Sequence, residues 1–307
     1  MEIRSYRPGD EFNIIDLWNK CMIYDPVTKE VFAKKVLIDP NFNPEGAKVV
    51  ETDGEIVGFI LTIARCVRWW DYSLDENKGW MTALFVHPSY RRQGLGAALV
   101  KEGCEYLKGV GRKEVYVSNY SPNYFCAGVD EKSYPGAMAF YCAMGFSVSE
   151  DVAGMAKDLH DFCIPEKILE KEKNIKEQGI EIKYLTWDLT FPTAQFFKKY
   201  FHNWAYFFHQ KMASSCPLDE IVVTVLNGKE VLGYCQQLHG GHVGPFGMAP
   251  ELRGKGIGSV MLYKLLDRML KNGDKYAWFS LTEKAQNYYA RAGFEITRQY
   301  KILKKEI

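Results

Sequence analysis

The chain lacks most of what would direct it to a polymer or a membrane. Its 39 basic and 38 acidic residues leave a net charge of +1, so there is no overall field for nucleic acid or an anionic lipid surface, and any anion has to be held locally. No window holds about 18 uninterrupted apolar residues. The stretch from Met1 to Pro8 has no apolar signal-peptide core, so a soluble cytoplasmic protein is expected. The eight cysteines form no Cys-x-x-Cys pair and no metal spacing. That pattern argues against a disulfide scaffold and a metal site, and predicts buried free thiols in a reducing compartment.

What is present is one stretch written twice. Leu84-Phe-Val-His-Pro-Ser-Tyr-Arg-Arg-Gln-Gly-Leu-Gly-Ala-Ala-Leu-Val100 has its counterpart in Phe246-Gly-Met-Ala-Pro-Glu-Leu-Arg-Gly-Lys-Gly-Ile-Gly-Ser-Val-Met-Leu262. Each reads as an apolar strand, a Pro-containing turn, a basic residue, and Gly-x-Gly opening an apolar-periodic segment. The glycines allow a ligand close to the backbone, and the unpaired N–H groups of the first helical turn point at it as an anion site. Basic neighbours (Arg91, Arg92; Arg253, Lys255) add full charge. A phosphate or pyrophosphate is the expected ligand.

Two common glycine-rich loops fail on the residues. A dinucleotide loop needs a small residue where Leu99 and Met261 stand, and a nucleoside-triphosphate loop needs Ser or Thr after Gly254-Lys255, where Gly256 stands. Arg-x-x-Gly-x-Gly fits both copies: Arg91, Gly94, Gly96, then Arg253, Gly256, Gly258. Each loop is followed by an aromatic pair, three residues and Gly-Phe, in Phe140-Tyr-Cys-Ala-Met-Gly-Phe146 and Tyr288-Tyr-Ala-Arg-Ala-Gly-Phe294. Two marks in the same order, twice, resemble the GNAT N-acetyltransferases, in tandem form.

That resemblance implies an α/β fold of two tandem GNAT-type domains, each a mostly antiparallel mixed sheet with flanking helices and a splayed strand pair at an acetyl-CoA site. Phe85 and Val86, or Gly247 and Met248, would bond the pantetheine arm through their backbone. The pyrophosphate would lie on Arg91, Arg92, Gln93, Gly94, Leu95 and Gly96, or on Arg253, Gly254, Lys255, Gly256, Ile257 and Gly258. The leaving-group acids would be Tyr141 and Tyr289, each of which taken alone reads as a core aromatic on an amphipathic helix. Phe140 and Tyr288 are read as core aromatics.

Length agrees with two domains, which we place at residues 1–163 and 180–307, joined by a solvated, charged helical linker at 164–179 whose signs nearly cancel. The first domain is expected to run strand 2–6, a helix 11–21 capped by Asp10, helix 28–37, a hairpin turning at Asp53-Gly54, strand 80–86, helix 94–109, strand 114–118, helix 137–144 and a last pair of strands within 146–159. The second repeats this, with one long aromatic helix over 192–211, a hairpin at Asn227-Gly228, strand 242–248, helix 258–270, strand 276–281 and terminal strands from Glu295. From Arg91 to Gly145 is 54 positions and from Arg253 to Gly293 only 40, so 14 extra residues fall in the first domain, in the excursion from Asn119 to Pro135.

No carboxylate stands on the strand before either loop. Candidate bases are Asp71, Asp75 and Glu76 in the first domain, His239 or His242 in the second, or a water chain. The added aromatic and acidic loops 65–78 and 119–135 suit a cationic amine and incline the reading towards the first domain as catalytic. The expected activity is acetyl transfer from acetyl-CoA to a small-molecule primary amine, by a monomer or homodimer; the rivals are a CoA-binding pseudoenzyme and an enzyme acting on protein N-termini or lysines.

Overall fold

The computed structural model describes residues 1–68, 73–214, 217–282 and 285–307. Contacts divide the chain into two units: the first holds the described residues up to Ala153 together with Arg298–Ile307, and the second holds Gly154–Thr297. The first half supplies β1 (Glu2–Ser5), α1 (Asp10–Cys21), α2 (Lys29–Phe32), β2 (Ala47–Thr52), β3 (Glu55–Ala64), β4 (Lys78–Val86), α3 (Leu95–Gly109), β5 (Glu114–Val117), α4 (Ala137–Ala143) and β6 (Ser147–Asp158). The second supplies α5 (Glu166–Lys176), β7 (Ile180–Tyr184), α6 (Thr190–Tyr200), α7 (Ala205–Ala213), β8 (Ile221–Leu226), β9 (Glu230–Gln237), β10 (Val243–Met248), α8 (Ile257–Lys271), β11 (Tyr276–Phe279), α9 (Gln286–Arg291) and β12 (Glu295–Glu306). Among the described residues no helix is long and apolar enough to cross a membrane.

In the first unit the strand order is β1-β2-β3-β4-β5-β12-β6. The strands from β1 to β4 pair antiparallel, β12 runs antiparallel to β5, and β4 and β5 are parallel. Side chains alternate across a strand, so the sheet has two apolar faces. One buries Trp18, Phe32, Phe59 and Phe85 beneath α1 and α2, and the other buries Leu99, Leu107, Tyr141 and Phe146 with α3 and α4. In the second unit β10-β9-β8-β7 form an antiparallel sheet, and β11 pairs with the last residues of β6. A parallel bridge from His242, just before β10, to Trp278 links β10 to β11.

The two tight hairpins form as their residues require. Asp53-Gly54 and Asn227-Gly228 all take positive φ (51°, 79°, 49° and 71°), the twist that suits two-residue turns. Other expectations need correction. Asp10 is not the cap of α1: Gly9 occupies that position at φ 105°, while the Asp10 carboxylate accepts from Arg4 at 2.6 and 3.0 Å. The helix expected to run to Leu37 starts at Lys29 and widens into a π-turn from Ala33. The aromatic helix is two helices, broken where Phe201 leaves helical geometry (φ −146°) and its ring stacks on Trp204 at 4.1 Å. The described cysteines are free, but Cys66, Cys142 and Cys163 are exposed rather than buried, and Cys216 lies outside the described residues.

The segment 164–179 is not a solvated linker. Helix α5 buries Ile168 and Ile175 in the core of the second unit, and Glu172 accepts from Lys264 of α8 at 3.1 Å. Two such side chains withdrawn from water are together worth several kcal/mol, roughly 1.5–3 each. Nor does either half end in a pair of strands. Each ends in one long strand: β6 begins in the first unit and ends in the second, and β12 does the reverse. The linear division at 163/180 therefore differs from the one that the contacts draw.

Arg298 holds β12 in the first unit. Its guanidinium donates to Asp25 at 2.6 and 3.0 Å and to Asp130 at 2.8 Å, and Tyr134 also donates to Asp25 at 2.6 Å. Burial alone would raise the Asp130 carboxyl, but hydrogen bonds from Ser133 and Arg298 hold it below its ordinary value. Removing one partner of a fully buried ion pair costs about 3–5 kcal/mol; Arg298 is a quarter exposed, so its loss is expected to cost less, about 2–3 kcal/mol. Arg298→Met is expected to lower the first unfolding transition in urea by an amount of that order, whereas Lys301→Met, which removes an exposed pair with Asp151, is expected to cost less than about 1 kcal/mol.

Candidate active site

Each loop begins where a parallel strand pair comes apart. Strand β4 pairs with β5 only from Lys78↔Glu114 to Met81↔Val117. Beyond that point Ser118 and Asn119 take positive φ (64° and 42°) and carry the chain away, while β4 continues to Val86 on β3 alone. The ladder between β3 and β4 slips by one residue at Thr82, a bulge at the fork. The second unit repeats this at an offset of 162 positions. His242↔Trp278 corresponds to Trp80↔Tyr116, and the slip between Val243 and Phe246 places its bulge near Gly244, the counterpart of Thr82. A bulge leaves one backbone unit out of its ladder. In both units that unit lies beside an open strand edge.

The loops follow directly. Gly94 and Gly256 precede the first residues of α3 and α8 at φ 83° and 78°, a conformation that glycine adopts without penalty. Leu95 and Ile257 are buried, so only their backbone faces the loop. Arg91 Nε donates to the Val86 carbonyl at 2.9 Å and Arg253 Nε to that of Met248 at 3.2 Å. Both guanidinium groups thus brace the loop against the end of its own strand. Gln93 Nε2 reaches Ser89 O at 3.4 Å, and Arg92, Gln93, Gly254 and Lys255 are exposed. Arg92 sits at φ 62° where its counterpart Gly254 sits at 77°, so the first loop carries a strained residue in exchange for a positive charge.

The second glycine of each pair serves packing as well as a ligand. A Cβ on Gly96 would lie 3.3 Å from the Phe140 ring, and one on Gly258 would lie 3.2 Å from the Tyr288 hydroxyl. Phe140 and Tyr288 therefore lie over the loops rather than in a remote core. Gly247 is pressed upon from elsewhere: a Cβ there would meet Trp204 at 2.4 Å. Phe85 packs its ring on Trp18 at 5.2 Å and on Phe59 at 5.5 Å.

Tyr141 and Tyr289 occupy equivalent buried places. Tyr141 packs on Phe140 and Phe146, and Tyr289 on Phe279 at 4.0 Å and Phe294 at 5.9 Å. Burial pushes both phenols well above their ordinary value, so both keep their proton through the neutral range. Cys126, brought in by the excursion, is likewise pushed up to about 11, chiefly by burial and then by the charge of Asp25. It is a protonated thiol and no nucleophile at neutral pH.

Two acids of the first unit are engaged, Asp75 and Asp39. Asp75 pairs with Arg65 in a very short contact and with Lys78 at 3.4 Å, and Arg65 also donates to Ser121 O at 2.6 Å. Asp39, 4% exposed, accepts from Asn123 at 2.8 Å and Tyr120 at 3.2 Å. Arg65 thus ties the 65–78 loop to the 119–135 excursion, and Asp39 holds the excursion by two buried hydrogen bonds. Glu76 is exposed, while Asp71 and the side chain of His239 lie outside the described residues. His242 is half-buried; its ring stacks on Trp278 at 4.0 Å and its Nε2 lies 3.3 Å from Ser280 Oγ.

One residue near the loops escaped sequence reasoning. Lys171 of α5 reaches over the second loop, where a Cβ on Gly256 would lie 2.8 Å from its Nζ. The signal was its helical spacing from Ile168 and Ile175, an apolar stripe within a charged run.

Comparison with known proteins agrees with this doubled frame. The model of the Acetyltransferase (GNAT) family matches residues 13–146 and again 182–294, ending before each crossing strand. An uncharacterized N-acetyltransferase of Methanocaldococcus jannaschii is 32% identical over 111 residues, covering 36% of this chain and 42% of the relative. Among solved structures, the glucosamine N-acetyltransferase region of a fungal multi-domain β-N-acetylglucosaminidase superposes over 99% of this chain and 38% of its own, with TM-score 0.82 and 20% identity. A tandem GNAT protein from the clavulanic acid biosynthesis pathway covers 99% of this chain and 98% of its own, with TM-score 0.66 and 16% identity. The alignments thus span under half the length of the archaeal relative and of the fungal chain. With the family model matched twice over more than half of its residues, the chain belongs to the GNAT acetyltransferase family.

Proposed function

We propose that the protein transfers an acetyl group from acetyl-CoA to the primary amine of a small molecule, by direct attack in a ternary complex. The observation that carries this reading is the fork in each unit: an open strand edge runs straight into a helix N-terminus. An extended pantetheine arm would add to the edge of β4 beyond Met81, or of β10 beyond His242, by backbone hydrogen bonds. The pyrophosphate would rest on the first-turn amides of α3 or α8, with Arg92 beside one loop and Lys255 and Lys171 beside the other. The bulge backbone at Thr82 or Gly244 would meet the thioester carbonyl, and Tyr141 or Tyr289, held protonated by burial, would protonate the departing thiolate.

A second reading has one observation in its favour. Asp75 of the first unit is paired with Arg65 and Lys78, and Asp39 is bonded to Asn123 and Tyr120, which supports that unit holding CoA without turnover. An acceptor that is a protein N-terminus or lysine would be distinguished by assaying peptides beside small amines. Glucosamine, the amine named for the fungal relative, is the first acceptor to assay.

Calorimetric titration with acetyl-CoA tests the binding claim. Gly94→Glu and Gly256→Glu each place a carboxylate where the pyrophosphate would lie, and each is expected to weaken its own site at least tenfold, about 1.4 kcal/mol. Wild-type protein that binds no acetyl-CoA overturns the reading. Tyr141→Phe or Tyr289→Phe is expected to lower kcat about a hundredfold or more with acetyl-CoA affinity kept, in whichever unit turns over; unchanged kcat in both variants removes the tyrosines from the mechanism. Arg92→Gly relieves a left-handed residue, so stability is expected to change by less than about 1 kcal/mol while acetyl-CoA binding in the first unit weakens.

A further inference from the structure

The two forks are equivalent in backbone and different in what stands at them. In the first, Trp80 lies under the Arg65 guanidinium at 4.7 Å, and the Ser118 hydroxyl is closed onto the Cys126 carbonyl of the excursion. In the second, His242 replaces Trp80, and the equivalent serine, Ser280, faces the His242 ring. The placement of His242 is built. Gly240 and Gly241 turn at φ 65° and 77°, and a Cβ on Gly241 would lie 2.2 Å from the Tyr276 carbonyl, so only glycine allows the chain this close to β11. Trp278 Nε1 donates to Gly240 O at 2.7 Å, and the His242 ring lies flat on the indole, 8° from parallel.

The two faces of β11 carry different side chains. Phe279 packs on Tyr289 at 4.0 Å. Side chains alternate along a strand, so Trp278 and Ser280, and with them His242, stand on the opposite face. A thioester threaded between β10 and β11 would have the phenol on one side and the imidazole on the other, at the level of the bulge.

Building on the acetyl-transfer reading, we infer that His242, working through Ser280, is the general base of the second unit, and that this unit turns over a primary amine. The acceptor's ammonium gives a proton to Ser280 Oγ as the serine passes its own to His242 Nε2. The freed amine nitrogen bonds to the thioester carbon, and the carbon–sulfur bond then breaks. The thiolate takes the Tyr289 proton, and the second proton on nitrogen returns to that phenolate. The products are the amide, CoA thiol and imidazolium, which releases its proton to solvent.

Two histidines report separately on the two forks, since His87 opens the first loop, beside Tyr90 at 5.9 Å. Protein labelled at imidazole carbons, with resonances assigned by His242→Ala and His87→Ala, is titrated with acetyl-CoA. The expected result is a shift of the His242 resonance. Acetyl-CoA that binds by calorimetry and moves His87 alone overturns the base assignment while leaving the acetyl-transfer reading standing. Acetyl-CoA that does not bind overturns both. With glucosamine and a panel of small primary amines as acceptors, His242→Ala is expected to lose about a hundredfold in kcat with acetyl-CoA affinity unchanged, and added imidazole is expected to restore part of it. Ser280→Ala is expected to lose activity that imidazole does not restore. Wild-type kcat in His242→Ala, or a loss that imidazole leaves untouched while Ser280→Ala is fully active, overturns the proposal.

Discussion

A parallel strand pair that stops pairing partway along is the constraint on which the rest of each unit depends. Strands β4 and β5 run together for four residues and then part, because a bulge at Thr82 breaks the neighbouring ladder and Ser118 and Asn119 leave extended geometry altogether. An unpaired strand edge costs hydrogen bonds unless something occupies it. Here the edge leads directly into a glycine at positive φ and then a helix whose first amides also lack partners. Unmet hydrogen-bonding capacity is therefore concentrated along one line. A long ligand with amides in its arm and phosphates at its end complements that line.

The same frame is filled differently in the two units. The excursion of the first unit brings in Tyr120, Asn123 and Cys126, and its polar groups bond to Asp39, Arg65 and Ser118. Buried polar groups need such partners to be stable. The second unit has a two-glycine turn instead, which sets an imidazole on an indole beside a hydroxyl. In the acidic loop that made the first domain look better equipped, Asp75 is already paired with Arg65 and Lys78.

The terminal strands give the halves a dependence that a beads-on-a-string reading does not contain. In the first unit, β12 lies next to β5 and carries Arg298 to Asp25 and Asp130; in the second, the end of β6 lies next to β11. Each unit completes its sheet with residues from the other half. Since the family model stops short of both strands, the exchange lies outside the part of the chain that the family pattern describes.

Local chemistry was legible from the residues alone. Asp53-Gly54 and Asn227-Gly228 specify tight hairpins, glycine before an apolar stripe specifies each loop and helix start, and the doubled motif specifies the family, because in each case the physical requirement is met by neighbours in the chain. Long-range choices were not. Twelve-residue strands such as β6 and β12 carry no mark of their partner; Ile168 and Ile175 inside a charged helix do not say which groove receives them; nothing in the sequence sets His242 on Trp278, 36 positions away. The sequence by itself determined two acetyl-CoA-type frames and their order. Only the tertiary structure decided which strand closes which sheet, which acids are neutralised and which serine faces a histidine, because those outcomes depend on pairings between distant segments whose energies exist only once the chain has folded.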